Sequence, residues 1–175
     1  MPSEASASEI YDGVIFKYGP VAQSVPYLKK TYDFNSVFKT EEEKEEFKTV
    51  MDAIKSRLTE NNPNYFENFS TEVKSGDHLR VKAAIEQSHE DLKNTLIGLA
   101  EEQDPSLDNK NFTFALAVVA IAAAAVHNVS VITSVAAVAV ATWVQLALSC
   151  QYHCKAYDLK FEMEVDSITN SLKAA

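Results

Sequence analysis

Two regimes of hydrophobic and polar positions divide this chain. In the N-terminal part apolar side chains recur at three- and four-residue intervals among charged ones. In contrast, residues 112–154 hold no Asp, Glu, Lys or Arg. The clearest amphipathic helix opens at Thr40. Thr40-Glu41-Glu42-Glu43 is a capping box, and its acidic run sits where the helix dipole favours negative charge. Phe47, Val50, Met51, Ile54 and Leu58 then form one apolar stripe, and Asn61-Asn62 ends the helix. Asn62-Pro63 caps a further helix carrying Tyr65, Phe66, Phe69 and Val73. Ser75-Gly76 stops that helix, and Asp77 caps the next, which carries Leu79, Ala83, Ile85, Leu92, Leu96 and Leu99 to about residue 100.

Upstream, the first eight residues are small and polar, and disorder is expected there. Ser8 caps a predicted helix over residues 9–18 with Ile10, Tyr11, Val14 and Phe16. Gly19-Pro20 breaks it and starts another, with Pro at the first helical position. This second helix is predicted to reach residue 31 with Val21, Val25 and Leu28, and Pro26 marks a kink or an early end. Residues 31–39, TYDFNSVFK, read as an aromatic turn region. Residues 101–111 read as a polar linker in which Pro105 blocks a continuous helix. In the tail, Tyr157, Leu159, Phe161, Met163 and Val165 alternate with polar positions, which is a strand signal, with a short helix as the alternative.

The uncharged segment is 43 residues long in a chain that is 23% charged. Residues 114–126 make about 20 Å of helix at 1.5 Å per residue. His127-Asn128 interrupts the run, and residues 129–148 make about 30 Å, enough to cross a hydrocarbon core. The β-branched content is high, yet in lipid or in a buried core helix is favoured because it satisfies every backbone group internally. One reading is a membrane-inserting hairpin hinged at His127 and Asn128. Its insertion residues would be Phe112, Phe114, Leu116, Val119 and Ile121 on one arm, and Val131, Ile132, Val135, Val138, Trp143 and Leu146 on the other. Ala-rich faces would let the arms approach closely, and Trp143 would suit the bilayer interface. The other reading is a hairpin buried at the centre of a helical bundle, since a helix apolar all round fits either setting. The two combine if the amphipathic helices sheath the hairpin in a soluble form. The predicted fold is therefore all-α, a bundle of amphipathic helices around a central apolar helical hairpin. Its parts are residues 1–8, a helical domain over 9–100, the linker 101–111, the hairpin 112–154 and a tail over 155–175.

Charge narrows the function classes. The 16 basic and 25 acidic residues leave a net charge of −9, which argues against nucleic acid as a partner. Four Gly and five Pro imply few long flexible loops. Cys150 and Cys154 with His153 between them are an incomplete zinc set, so no metal is expected. They form either a disulfide, which at this spacing would end a helix, or two packed thiols. His127 reads as a pH trigger or as a plain turn residue. His78 and His89 are expected to be solvated, as is the acidic cluster over residues 41–46. No phosphate loop, nucleophile elbow, His-Glu-x-x-His or paired catalytic carboxylates occur, so no catalytic residue, cofactor or enzymatic activity is expected. The start, MPSEASASEI, lacks the basic and apolar regions of a signal peptide, which fits either a cytoplasmic chain or a processed secreted form.

Gly13-Val14-Ile15-Phe16, Gly19-Pro20-Val21-Ala22 and Pro26, in that order, resemble the start of the sporulation-delaying-protein family of secreted bacterial toxins. So do Asn62-Pro63-Asn64-Tyr65-Phe66-Glu67-Asn68-Phe69, Ser75-Gly76-Asp77-His78 and Ala83-Ala84-Ile85. The resemblance covers roughly residues 8–100. It implies a two-part design in which a soluble region precedes a hydrophobic segment that becomes a membrane-active antimicrobial peptide. By position and composition that segment is residues 112–148. Where the family pattern has a cysteine pair near the start of the active peptide, Cys150 and Cys154 follow the apolar run. The expected function is a secreted, bacteriocin-like antibacterial toxin that permeabilises or depolarises membranes. Its expected partners are the target-cell membrane and an immunity protein. The alternative is a soluble helical binding protein, or a carrier of a hydrophobic ligand, whose apolar hairpin is only its core.

Overall fold

A computed structural model of the chain describes residues 4–103, Trp143 and residues 158–174. Among these residues every regular element is an α-helix: α1 (Ala7–Val14), α2 (Gly19–Ser24), α3 (Pro26–Thr31), α4 (Phe34–Val37), α5 (Glu41–Asn61), α6 (Tyr65–Val73), α7 (His78–Gln103) and α8 (Asp158–Leu172). The all-α expectation holds. The expected central hairpin lies outside the described residues, Trp143 excepted.

The described residues fall into two compact units. The first comprises residues 4–34, 64–89 and 158–174. In it α1 starts two residues earlier than Ser8 would place it. Ser6 is the N-cap, accepting from the Glu9 N–H while the Glu9 carboxylate accepts from the Ser6 N–H at 2.8 Å, a complete capping box. The helix ends at Val14, and the Tyr18 N–H reaches back to the Asp12 carbonyl at 3.2 Å as the chain turns. Gly19, at φ +84°, makes a turn that a side chain would strain. The break expected at Pro26 falls on Val25, which is extended because the following proline ring excludes it from helical space.

Tyr11 is the centre of this unit's core. Its ring lies 5.0–5.7 Å from the rings of Phe16, Tyr65, Phe66 and Phe69, joining α1 to α6. Ile10, Val14, Ile15, Val21, Val25, Leu28, Val73, Val81 and Ile85 are buried with it. The α1–α2 packing depends on Gly13: a Cβ there would stand 2.6 Å from Val21 Cβ and 2.8 Å from the Ala22 backbone nitrogen.

α8 corrects the strand reading of the tail. Phe161, Glu164, Val165, Ile168, Thr169 and Leu172 are buried at helical spacing, whereas Leu159 is 70% exposed and Met163 half exposed. The alternation had grouped residues that the helix places on different faces. On α7, Val81 and Ile85 are buried, while Leu79 and Ala83 face outward. The Asp77 carboxylate caps α7 as expected, accepting from the Leu79 and Arg80 N–H groups at 2.9 and 3.2 Å.

The second unit comprises residues 35–63, 90–103 and Trp143. The Thr40 capping box forms as read, with Glu43 N–H donating to Thr40 Oγ1 at 3.1 Å and the Glu43 carboxylate accepting from the Thr40 N–H. Phe47, Val50, Met51, Ile54 and Leu58 are all buried, as are Leu92 and Leu96 from α7. α7 runs to Gln103, so its last turn occupies the first residues of the expected linker. Residues 31–39, read as a turn region, contain the single turn α4.

Replacing Gly13 by Ala should destabilise the protein by about 1–3 kcal/mol, because the Val21 Cβ and the Ala22 backbone nitrogen that it would meet cannot rotate away. A lower urea midpoint with an unchanged slope is the expected readout.

Candidate functional site

Trp143 is the described member of the uncharged segment. It is helical, 1% exposed and seated in the second unit. Its ring lies 5.9 Å from that of Phe38 at 64°, and Phe38 lies 4.9 Å from Phe47 on the α5 stripe. Phe38 and Phe47 are themselves fully buried. Phe38 thus packs between Trp143 and the apolar stripe of α5. In the same unit, Arg57 of α5 grips Glu102 of α7 through both terminal guanidinium nitrogens at 2.5 and 2.8 Å. This hydrogen bonding raises the Arg57 pKa and lowers that of Glu102. Phe112, Phe114, Leu116, Val119, Ile121, Val131, Ile132, Val135, Val138 and Leu146, the hinge His127 and Asn128, and Cys150 and Cys154 lie outside the described residues.

The first unit contains a charged site for which the sequence carries no signal. Lys17 follows α1 in the left-handed conformation at φ +57°. Its side chain is 0% exposed and forms an ion pair with Glu164 of α8, whose side chain is 5% exposed. The Lys17 ammonium also donates to the Val14 carbonyl at 2.6 Å and lies 5.5 Å from the Tyr32 ring centroid. The Tyr32 hydroxyl donates to the other Glu164 oxygen at 3.3 Å. A lysine beside a Gly-Pro break reads as solvated, and its partner is 147 residues away. Removing either member of such a pair typically costs about 3–5 kcal/mol, because the other charge is left buried and uncompensated.

Glu162, two residues before Glu164, binds α7. It pairs with Lys82, and its other oxygen lies 2.5 Å from His78 Nε2. Lys82 also lies 5.8 Å from the centroid of the Phe161 ring. The Lys82 ammonium, and then His78, hold the Glu162 carboxyl below the usual carboxylate range. His78 is therefore paired at the surface rather than simply solvated. His89 is buried rather than solvated, because it occupies the inward face of α7 beside Ser88, whose hydroxyl bonds Tyr65. Among the described residues no His, Cys, Asp and Glu cluster is arranged to hold a metal ion. Among them, too, no helix is long and apolar enough to cross a membrane.

Among the described residues the geometry defines an all-α protein with apolar, aromatic cores. Residues 2–173 match the family described as sporulation delaying protein family toxin. The chain belongs to that family, and the likeness seen over residues 8–100 extends over nearly its whole length. No curated protein and no solved structure matches the chain.

Truncating Trp143 to Ala should cost about 3–5 kcal/mol in the unit that buries it, read as a lowered thermal midpoint. The Glu162 tie has a defined pH sense. A carboxyl whose folded pKa is depressed contributes stability above its unfolded pKa and loses it as pH falls through the folded value. The urea midpoint of the native protein should therefore fall on acidification through and below the usual carboxylate range. Glu162→Gln should remove that part of the fall, leaving the contributions of Glu72 and Glu102, which are lowered by Arg80 and Arg57.

Proposed function

We propose that this toxin is secreted and acts on bacterial membranes through residues 112–154, which the amphipathic helices cover until it is needed. The observation that carries this reading is Trp143, a residue of the uncharged segment buried against Phe38 of the covering layer. An interfacial role for Trp143 in a bilayer requires that contact to be given up, so the covered arrangement is the resting form. Its second support is family membership. The helices around the seat carry their charge outward, as Glu41, Glu42 and Glu45 do on α5. That keeps an otherwise insoluble segment in water. The target-cell membrane is the proposed partner, and an immunity protein on the producing cell is a second.

Trp143 burial also fits a second reading, a helical binding protein in which the segment is only core. Dye release separates the two. Vesicles of phosphatidylethanolamine and phosphatidylglycerol should leak on addition of either the intact protein or a 112–154 peptide. Whichever sample works reports whether processing is required. Ala124→Asp or Ala137→Asp should abolish leakage, because a charge at the centre of an inserted helix costs about 2.5–3.5 kcal/mol even on the most lenient scale. Absence of leakage from both samples at neutral and acidic pH would favour the core reading.

A further inference from the structure

We propose that Glu43 is the positioning residue for Trp143: its carboxylate fixes the backbone that carries Phe38, and Phe38 is a ring against which Trp143 is seated. The bearing of this on membrane action rests on the reading above. Every residue involved belongs to the second unit. Phe38 lies between α4 and α5, outside any regular element, yet it is 0% exposed, while Lys39 and Thr40 directly after it are exposed. A residue inside a helix has its backbone held by the hydrogen bonds of that helix. Phe38 has no such support, although its ring must stay between Phe47, at 4.9 Å, and Trp143, at 5.9 Å.

Glu43 supplies the support. In an ordinary capping box the carboxylate takes one backbone N–H, that of the N-cap residue. Here a single oxygen, Oε2, accepts from two: the Thr40 N–H at 3.1 Å and the Lys39 N–H at 2.6 Å. The Lys39 N–H belongs to the planar peptide group that joins Phe38 to Lys39. Holding it fixes that plane, and with it the direction from which the Phe38 ring enters the core. Glu43 is itself anchored in the first turn of α5, where its N–H donates to Thr40 Oγ1 at 3.1 Å and the helix dipole favours its charge. Hydrogen bonds to an ionised acceptor are roughly twice as strong as neutral ones. The carboxylate is thus a fixed post on a 21-residue helix, and the loop bearing Phe38 is tied to it. Without the tie, the peptide after Phe38 turns to the water that already surrounds Lys39 and Thr40, and Phe38 no longer closes its side of the Trp143 seat. α5 survives this loss, because Val50, Met51, Ile54 and Leu58 remain buried further along it.

Trp143 is the sole tryptophan of the chain, so its fluorescence reads this seat alone. Acrylamide quenching is measured without denaturant on the full-length protein in four forms: native, Glu43→Ala, Glu43→Gln and Thr40→Ala. Glu43→Ala should roughly double the quenching constant while the far-ultraviolet helical signal stays native, since the opening is local. Thr40→Ala removes the other half of the capping box and leaves the Lys39 tie, so its quenching should stay close to native. Glu43→Gln keeps an accepting oxygen without the charge and should fall between native and Glu43→Ala. Native quenching in Glu43→Ala overturns the proposal. So does an equal rise in Thr40→Ala, because the stability of the helix start would then explain both. If Glu43→Ala does not fold, Glu43→Gln decides: quenching above native supports the tie, and native quenching overturns it. The same forms are then added to phosphatidylethanolamine–phosphatidylglycerol vesicles. Faster dye release by Glu43→Ala than by the native protein supports a part in membrane action. Raised quenching with unchanged release overturns that part and leaves the positioning role standing. Failure of the membrane reading shows separately, as no leakage from either the native protein or the 112–154 peptide.

Discussion

A lysine ammonium buried with a glutamate carboxylate from the far end of the chain constrains the first unit. Lys17 cannot be buried alone, so Glu164 must be brought to it, and α8 must lie where that carboxylate reaches the turn after α1. The surrounding geometry serves the same turn. α1 ends at Val14, whose carbonyl accepts from the ammonium. Gly19 turns the chain at positive φ, and Gly13 lets α2 lie close enough for Val21 and Ala22 to touch it. Tyr11 then ties α1 to α6 through four aromatic neighbours. A polar latch is thus set on an apolar foundation. The foundation supplies the burial energy, and the latch supplies register and dependence on the C-terminal helix.

The second unit addresses a different constraint, the burial of Trp143 and of the α5 stripe. α5 has one apolar stripe from Phe47 to Leu58 and an acidic opposite side. Its capping box starts the helix immediately after Phe38, the residue on which Trp143 rests. The Arg57–Glu102 fork, by contrast, is exposed and fixes geometry more than it stabilises. For a member of a toxin family this division has a clear sense. Trp143 is kept in contact with the Phe38 ring, and water sees carboxylates such as Glu41, Glu42 and Glu45.

Much of the helical layout is legible from local chemistry. Thr40 with Glu43, Asp77 before His78, Gly76 after Ser75 and Pro26 after Val25 each impose a helix start or stop through a hydrogen bond or a forbidden backbone region, and each acts within four residues. The α5 stripe was legible because five apolar residues on one face have only one economical burial. Family likeness was legible for a similar reason, since several of its marks, such as Gly19-Pro20 and Ser75-Gly76, are residues at turns. In the tail the helical alternative holds over the strand signal. Tyr157 to Val165 satisfies a two-residue alternation, and only the continuation through Ile168, Thr169 and Leu172 shows that a helix buries more.

By itself, then, the sequence determined the all-α class, most helix boundaries and the existence of an uncharged segment needing cover, because those follow from short-range sterics, capping and periodicity. Only the tertiary structure decided which charges are buried and paired. Lys17 with Glu164, His89 on the inward face of α7, and Trp143 on Phe38 join residues far apart in the chain or depend on which face of a helix is covered. No spacing rule connects residues separated by 147 positions. Their meeting is set by how whole helices pack, and the cost of an unpaired buried charge then makes that packing specific.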